Sequence, residues 1–154
     1  MNAIQVTEIT NYINNIRSNH LVPKLVYAPE ISDFSTKWAN TLMTNDKFEH
    51  SGNVLYGENL AMRMGSALKD DAVAGIKRSI DDWYNEIQYY DFTNGEFDPK
   101  TGHFTALVWA DTKKYGTAYK YDAAKKKYVV VMNMSPPGNV QSKYKENVLK
   151  SPIR

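Results

Sequence analysis

Apolar side chains recur every three or four residues in three segments, which is the spacing of one face of an α-helix. The pattern predicts a helix over 5–19, a second from Pro29 to about Asn45, and a third opened by Asp70 and Asp71. Proline suits a first helical turn, and carboxylates favour a helix amino-terminus. The apolar positions of the three helices are Ile9, Tyr12, Ile13 and Ile16; Ile31, Phe34, Trp38 and Leu42; and Val73, Ile76, Ile80, Trp83, Tyr84 and Ile87.

Other segments have the alternation or the β-branched content of strands. Residues 115–121 and 127–134 predict an antiparallel hairpin, and 57–64 predict a third strand. Phe104, Leu107 and Val108 return to helical spacing, so we expect a short helix that begins at His103 and is capped by Thr101. The predicted class is α+β, with helices packed on a small antiparallel sheet.

The length of 154 residues suits one domain, in which residues 135–154 form an extension that packs on the surface. The chain has no cysteine, which excludes disulfides and thiolate metal sites. No apolar run reaches the roughly 20 residues of a membrane span. Residues 1–5 lack the basic and apolar segments of a signal peptide, so we expect an intracellular protein, secreted only if a leader has been removed.

Charge is distributed unevenly along the chain. Residues 1–110 hold 9 Lys and Arg against 14 Asp and Glu, a net charge of −5, whereas residues 111–154 hold 10 against 3, a net charge of +7. The basic carboxy-terminal segment is either a solvated hairpin and tail or a surface attracted to anionic lipid headgroups. Scattered arginines and the lack of a known motif argue against nucleic acid as a partner.

Two histidines and two glutamates lie beside glycine or aromatic residues, where rigid elements would aim them into a shared cleft. They are His50, Glu58, Glu86 and His103. His20 instead ends the first predicted helix, where a cation is favourable, and we expect it to have a surface or capping role.

Three segments of the chain resemble signatures of the CAP superfamily, which groups cysteine-rich secretory, antigen 5 and plant pathogenesis-related proteins. They are residues 102–105 with Val108 and Trp109, residues 57–61 and residues 83–87. The resemblance covers nearly the whole chain. The cysteine-free body and the closing residues 138–140 and 146–149 are most similar to the Golgi-associated branch, which is intracellular and membrane-peripheral.

The resemblance implies an α-β-α sandwich whose central cleft gathers the four polar residues. Neutral imidazoles bind Zn²⁺ well, and carboxylates either ligate a metal or orient a bound water. The site would therefore hold a divalent metal, Zn²⁺ or another first-row ion, through His50, His103, Glu58 and Glu86. The alternative is a buried hydrogen-bond network without a metal.

The loop after the third helix carries four aromatic rings beside a glycine and acidic residues. It lies where sterol-binding relatives have an aromatic ligand loop, and the rings would hold a flat apolar ligand. The alternative is that they pack the loop onto the sheet. The rings are those of Tyr89, Tyr90, Phe92 and Phe97.

The predicted function is non-catalytic binding of lipid, either a sterol-like ligand or an anionic membrane surface. A competing class is a metal-dependent hydrolase that uses Glu58 or Glu86 as the general base. Ser51 follows His50, but adjacency in sequence does not establish a Ser-His pair. A third class is a homodimeric protein-interaction module.

Overall fold

The computed structural model describes residues 1–152, which form helices around one four-stranded sheet. The helices are α1 (Ala3–Asn19), α2 (Pro29–Asn45), α3 (Ala72–Tyr84), α4 (Gly102–Leu107), α5 (Tyr144–Asn147) and a 3₁₀ helix, η1 (Asn85–Tyr89). The strands are β1 (Val26–Tyr27), β2 (Gly57–Met64), β3 (Lys114–Asp122) and β4 (Lys127–Ser135).

The sheet has the order β1-β3-β4-β2. The predicted hairpin is present as the antiparallel pair of β3 and β4, and β2 pairs antiparallel with β4 over its whole length. The sheet is antiparallel as expected except at one edge, where the two-residue β1, which was not predicted, pairs parallel with β3. A strand this short carries no readable periodicity.

Strand β4 separates two cores. Val130, Met132 and Met134 belong to the larger core beneath α1 and α3. Val129 and Val131 belong to a smaller core beneath α2. Successive strand residues point to opposite faces, so burial on both faces explains the run of apolar residues in β4. The molecule is an α-β-α sandwich, and the predicted fold class is confirmed.

Two helix ends differ from the predictions. The third helix ends at Tyr84, so Glu86 lies in η1. Thr101 occupies the position before α4, but its hydroxyl donates to the Asp98 carbonyl oxygen at 3.2 Å and does not cap the helix. The carboxylate of Glu86 instead accepts the first backbone N–H groups of α4, as described below.

The expected surface position of His20 is wrong. The residue is the C-cap of α1, but its side chain is fully buried. Its Nδ1 lies 2.7 Å from the Leu149 carbonyl oxygen, and its Nε2 lies 2.8 Å from the Tyr84 hydroxyl. The carboxy-terminal segment covers this helix end, and local sequence around His20 carries no sign of it.

A buried arginine ties α1 to two connecting segments. Arg17 donates to the carbonyl oxygens of Pro23 at 2.7 Å, Leu107 at 3.0 Å and Thr112 at 3.2 Å. Burial lowers the pKa of its guanidinium to about 10, so the group is charged at neutral pH.

Among residues 1–152, no helix is both long and apolar enough to span a bilayer.

Candidate functional site

The structure brings the four predicted polar residues together as two His-Glu pairs. His50 comes from the connection between α2 and β2, Glu58 from β2, Glu86 from η1 and His103 from α4. Both histidines and Glu58 line one cleft of about 300 Å³. Elements distant in sequence therefore meet at one site.

The carboxylate of Glu58 is saturated with hydrogen bonds. Its Oε1 accepts from the Ser51 N–H at 2.9 Å and lies 3.0 Å from His50 Nδ1. Its Oε2 accepts from the Ser51 hydroxyl at 2.7 Å, Asn133 Nδ2 at 3.0 Å and Asn53 Nδ2 at 3.2 Å. Burial by itself raises the pKa of Glu58, but these donors outweigh it and leave the pKa below its ordinary value.

The carboxylate of Glu86 orients the second histidine. Its Oε1 accepts from the N–H groups of His103 and Phe104, each at 3.0 Å, and its Oε2 lies 2.8 Å from His103 Nδ1. The Trp83 ring stacks on the His103 ring with centroids 6.1 Å apart. Asn59 donates to the His103 carbonyl oxygen at 3.1 Å. The imidazole is thus held from several sides.

These hydrogen bonds occupy the carboxylate oxygens of both glutamates and leave the Nε2 atom of each histidine open. All four carboxylate oxygens are engaged with protein donors. The Nε2 atoms of His50 and His103 have no hydrogen-bond partner within residues 1–152. Nor do those residues contain a group of three or more His, Asp or Glu side chains placed to hold a metal ion. Within residues 1–152 the two carboxylates therefore orient the imidazoles and the four residues are not arranged as four direct metal ligands.

Two buried asparagines support the site and were not among the predicted residues. Asn133 accepts from the Ser35 hydroxyl at 2.7 Å and donates to Glu58. Asn59 holds the α4 backbone at His103. The signal in the sequence is an amide inside an apolar strand, because a buried polar group needs a partner.

Ser51 does not form a Ser-His pair. Its hydroxyl donates to Glu58 and accepts from Asn53 at 2.9 Å, with no bond to an imidazole. A carboxylate that already accepts several hydrogen bonds is a weak base for this hydroxyl. Ser51 instead serves to hold Glu58.

The four rings of the predicted lipid loop do not form one surface. Tyr90 and Phe92 pack on Phe104 of α4, with ring centroids 5.7 and 6.3 Å from it. Tyr89 and Phe97 are 63% and 56% exposed. Packing therefore accounts for two of the rings, and a ligand has access to the other two.

Phe97 lines two cavities at once. One is the His-Glu cleft, and the other is a cavity of about 890 Å³ between residues 94–97 and the carboxy-terminal segment. Asn139 also lines both, and Tyr144 lies in the wall of the larger cavity. The hydroxyls of Tyr90 and Tyr144 are buried and have no hydrogen-bond partner within residues 1–152. The two cavities thus adjoin across one aromatic ring.

The lysines of the β3-β4 hairpin are partly neutralised. Lys125 and Lys127 lie 3.1 and 3.3 Å from the Asp46 carboxylate, and Lys125 also donates to the Met43 carbonyl oxygen. They cap the carboxy-terminal end of α2, where cations are favourable. These two lysines are therefore not a free anionic-lipid surface.

Comparison with known proteins gives a family and a shared fold. Residues 10–134 match the profile of the cysteine-rich secretory protein family, CAP. Repressed by EFG1 protein 1 of Candida albicans is 35% identical over 135 residues, 86% of this chain and 46% of that protein. Golgi-associated plant pathogenesis-related protein 1 of Homo sapiens is 34% identical over 147 residues, 92% of this chain and 90% of that protein.

A solved structure, the crystal structure of NaASP2 with Zn²⁺, superposes with a TM-score of 0.75 at 20% identity, over 99% of this chain and 89% of the other. At this identity the likeness shows the fold alone. The chain spans about half the length of the Candida relative. With the family profile matching most of the sequence and two His-Glu pairs in the central cleft of the sandwich, the chain belongs to the CAP family of cysteine-rich secretory proteins.

Proposed function

We propose that this protein is a non-catalytic lipid-binding CAP domain whose His-Glu cleft accepts a divalent metal ion. It would hold a sterol-like ligand in the larger cavity and associate with anionic membrane surfaces. The observation that carries the proposal is the large cavity that adjoins the cleft across Phe97.

The size and lining of that cavity support a ligand with a flat apolar body. Its volume of about 890 Å³ lies within the range of roughly 300–1,000 Å³ typical of small-molecule sites. Phe97 offers an exposed ring, and Tyr144 contributes a second aromatic wall. Tyr144 lines this cavity, and its unpartnered hydroxyl would provide a hydrogen bond for a polar end once side chains adjust.

Cholesterol binding to wild type and to Phe97→Ala tests the ligand. We expect the substitution to weaken binding about tenfold, because it removes the ring from the cavity wall. Tyr89→Ala is the matched control, since Tyr89 is a comparably exposed ring at the end of η1 that lines neither cavity. The sterol proposal fails if wild type does not bind or if both variants lose affinity equally.

The cleft would hold the metal through His50 and His103. Their Nδ1 atoms are turned to carboxylates, which fixes the rings and leaves Nε2 for a ligand. The related fold of NaASP2, which was crystallised with Zn²⁺, supports this choice of ion. An ion held there would supply a positive charge for an anionic or carbonyl group of a ligand.

Titration calorimetry with Zn²⁺ tests the metal. We expect His103→Ala to abolish the heat of binding and Glu86→Gln to weaken affinity about 10–100-fold, because the imidazole loses its orienting partner. Glu49→Gln, an exposed carboxylate next to His50, is the control and keeps wild-type affinity. Equal heats from wild type and His103→Ala would leave the cleft as a hydrogen-bond network without a metal.

We extend the proposal to location as an intracellular, membrane-peripheral protein. The name of the human relative, which is Golgi-associated, supports it. Fractionation of cells that express the protein should place it in the membrane pellet and release it with high salt, because headgroup attraction is screened. Recovery in the medium or entirely in the supernatant at low salt would contradict this.

A further inference from the structure

One end of the molecule combines exposed apolar side chains with unpaired lysines. Three segments meet there: the connection from α1 to β1, the connection from α4 into β3, and the residues after α5. We call this end the lysine face. Its residues are Leu21, Lys24, Val26, Lys113, Lys114 and Lys150.

Backbone hydrogen bonds make the lysine face a single rigid platform. The Val26 N–H donates to the Lys113 carbonyl oxygen at 3.0 Å, and Val26 pairs with Lys114 across the parallel strands. Buried Arg17 donates hydrogen bonds to the carbonyl oxygens of Pro23 and Thr112 and so joins the same two connections from the protein interior.

The third segment is tied to this platform by further bonds. The Ala110 N–H donates to the Asn147 carbonyl oxygen at 3.0 Å, and the Asp111 N–H donates to Asn147 Oδ1 at 2.9 Å. The Leu149 carbonyl oxygen meets His20 Nδ1, which places Lys150 beside the end of α1. The positions of the charges are therefore set by the fold.

The charge of the lysine face is positive and unneutralised. Each of its four lysines is exposed and lacks an ion-pair partner within residues 1–152. Asp111 is the one acidic residue in the three segments. The hairpin lysines Lys125 and Lys127, by contrast, are bound to Asp46.

The apolar residues of the face are displayed to solvent. Leu21 is 70% exposed and Val26 is 63% exposed. Leu21 also has a φ of 57°, a left-handed conformation that favours glycine or asparagine over leucine. With most of its surface exposed, Leu21 contributes little to the core, and its side chain is available to an external apolar phase.

We propose that the lysine face docks on an anionic lipid bilayer, with Leu21 and Val26 inserted among the headgroups and the lysines bound to lipid phosphates. This rests on the proposed membrane association and assigns it to one surface. Lysine is a flexible point charge that suits mobile headgroups. Residues 20–26, 110–114 and 147–152 contain no arginine, the residue that binds fixed carboxylates of a protein partner in a bidentate way.

Cosedimentation with vesicles tests the charges. The vesicles are phosphatidylcholine with about 30% phosphatidylserine, compared with pure phosphatidylcholine. We expect Lys24→Gln/Lys113→Gln/Lys114→Gln to lower the partition coefficient roughly 100-fold, at about fivefold for each lost charge. Binding of wild type should also disappear at about 1 M salt.

A control of equal charge change uses exposed lysines elsewhere that form no ion pair. It is Lys37→Gln/Lys69→Gln/Lys100→Gln. This variant should bind within about twofold of wild type. Equal loss in both variants would overturn the lysine face while leaving membrane association intact, whereas no binding by wild type would refute the membrane association itself.

The apolar insertion has its own test in Leu21→Asn. Asparagine accepts the left-handed backbone, so the thermal midpoint should rise or stay unchanged while vesicle binding falls about tenfold. Val54→Asn, at another highly exposed apolar residue, is the control and keeps wild-type binding. The bilayer proposal is wrong if Leu21→Asn leaves vesicle binding unchanged. It is also wrong if wild type binds soluble polyglutamate as strongly as vesicles, because the partner is then an acidic macromolecule.

Discussion

At the scale of single residues, the hydrogen bonds of Glu58 determine what the cleft can do. A carboxylate that accepts five hydrogen bonds has little capacity left to bind a metal or to take a proton. Its side chain is only 5% exposed, so each lost donor would leave a buried charge less satisfied. Glu58 therefore acts by positioning His50 and by stabilising the fold.

This gives a prediction for pH. Because the pKa of Glu58 is lower in the folded chain than its ordinary 4.5, its contribution to stability is fully present above that value. It is lost as the pH falls through the lower folded pKa. We expect Glu58→Gln to reduce the free energy of unfolding by about 1–3 kcal/mol at neutral pH, and this difference to shrink in acid. Urea unfolding at several pH values measures it, and a difference that does not depend on pH would contradict the assignment.

Arg17 gives a second prediction at this scale. Arg17→Met would leave the carbonyl oxygens of Pro23, Leu107 and Thr112 without donors, so we expect a loss of about 2–4 kcal/mol in the free energy of unfolding. Arg78→Met, at an exposed arginine of α3, is the control and should change stability by less than about 0.5 kcal/mol. Equal effects from the two variants would show that the buried contacts contribute little.

At the scale of elements, the contact of α2 with β3 depends on a glycine. A Cβ at Gly116 would overlap the backbone of Ile31 and Ser32, and backbone cannot move aside as a side chain can. The Ser32 hydroxyl oxygen also accepts a hydrogen bond from the Thr117 N–H of the same strand at 2.9 Å. Helix and strand therefore touch main chain to main chain at this point.

We expect Gly116→Ala to lower the free energy of unfolding by about 3 kcal/mol, because α2 must separate from the sheet. Gly57→Ala is the matched control, since a Cβ at Gly57 meets its nearest atoms at an ordinary 3.7 Å. Chemical denaturation of both variants measures the difference. A mild effect at Gly116 would mean that α2 moves on the sheet at little cost.

The elements themselves were largely predictable. Local periodicity predicts the helix over Pro29–Asn45 and the strand over Gly57–Met64, and the proline marks the first turn of that helix. The end of α3 at Tyr84 was not predictable, because the apolar stripe continues to Ile87. At that point the chain continues as a tighter 3₁₀ helix, from which the carboxylate of Glu86 reaches the N–H groups of α4.

At the scale of the whole molecule, tyrosines with raised pKa values predict its behaviour in alkali. The pKa of four tyrosine hydroxyls is raised from 10.0 to about 12. The main cause is a hydrogen bond to Asp81 at Tyr12, and burial at Tyr115, Tyr119 and Tyr144.

A tyrosine with a raised pKa holds its proton more tightly when folded, so its contribution to stability is present below pH 10 and is lost as the pH rises towards 12. The lowered pKa of Arg17 acts in the opposite direction, but it is one group against four. We expect ultraviolet titration to show a late group of tyrosines near pH 12, together with unfolding. Tyr115→Phe should reduce the late step, and a single step near pH 10 would contradict the prediction.

The candidate site was predictable in its members and not in their roles. His50, Glu58, Glu86 and His103 stand out by their glycine and aromatic neighbours, and the structure gathers them. Whether a carboxylate ligates a metal or orients an imidazole depends on which donors reach its lone pairs. For Glu58 these donors include nearby Ser51 and also Asn133, which lies 75 residues away in the chain.

The main helices, the central strands and the polar residues of the cleft can be recognised in the sequence, because periodicity and motif are local properties of the chain. The folded structure was needed to show that His20 is buried, that Tyr90 and Phe92 pack inward while Phe97 faces two cavities, and that unpaired lysines from three segments meet. These properties depend on contacts between residues distant in sequence. Burial and hydrogen bonding are set by what the folded chain places around a residue, and its neighbours in sequence do not carry that information.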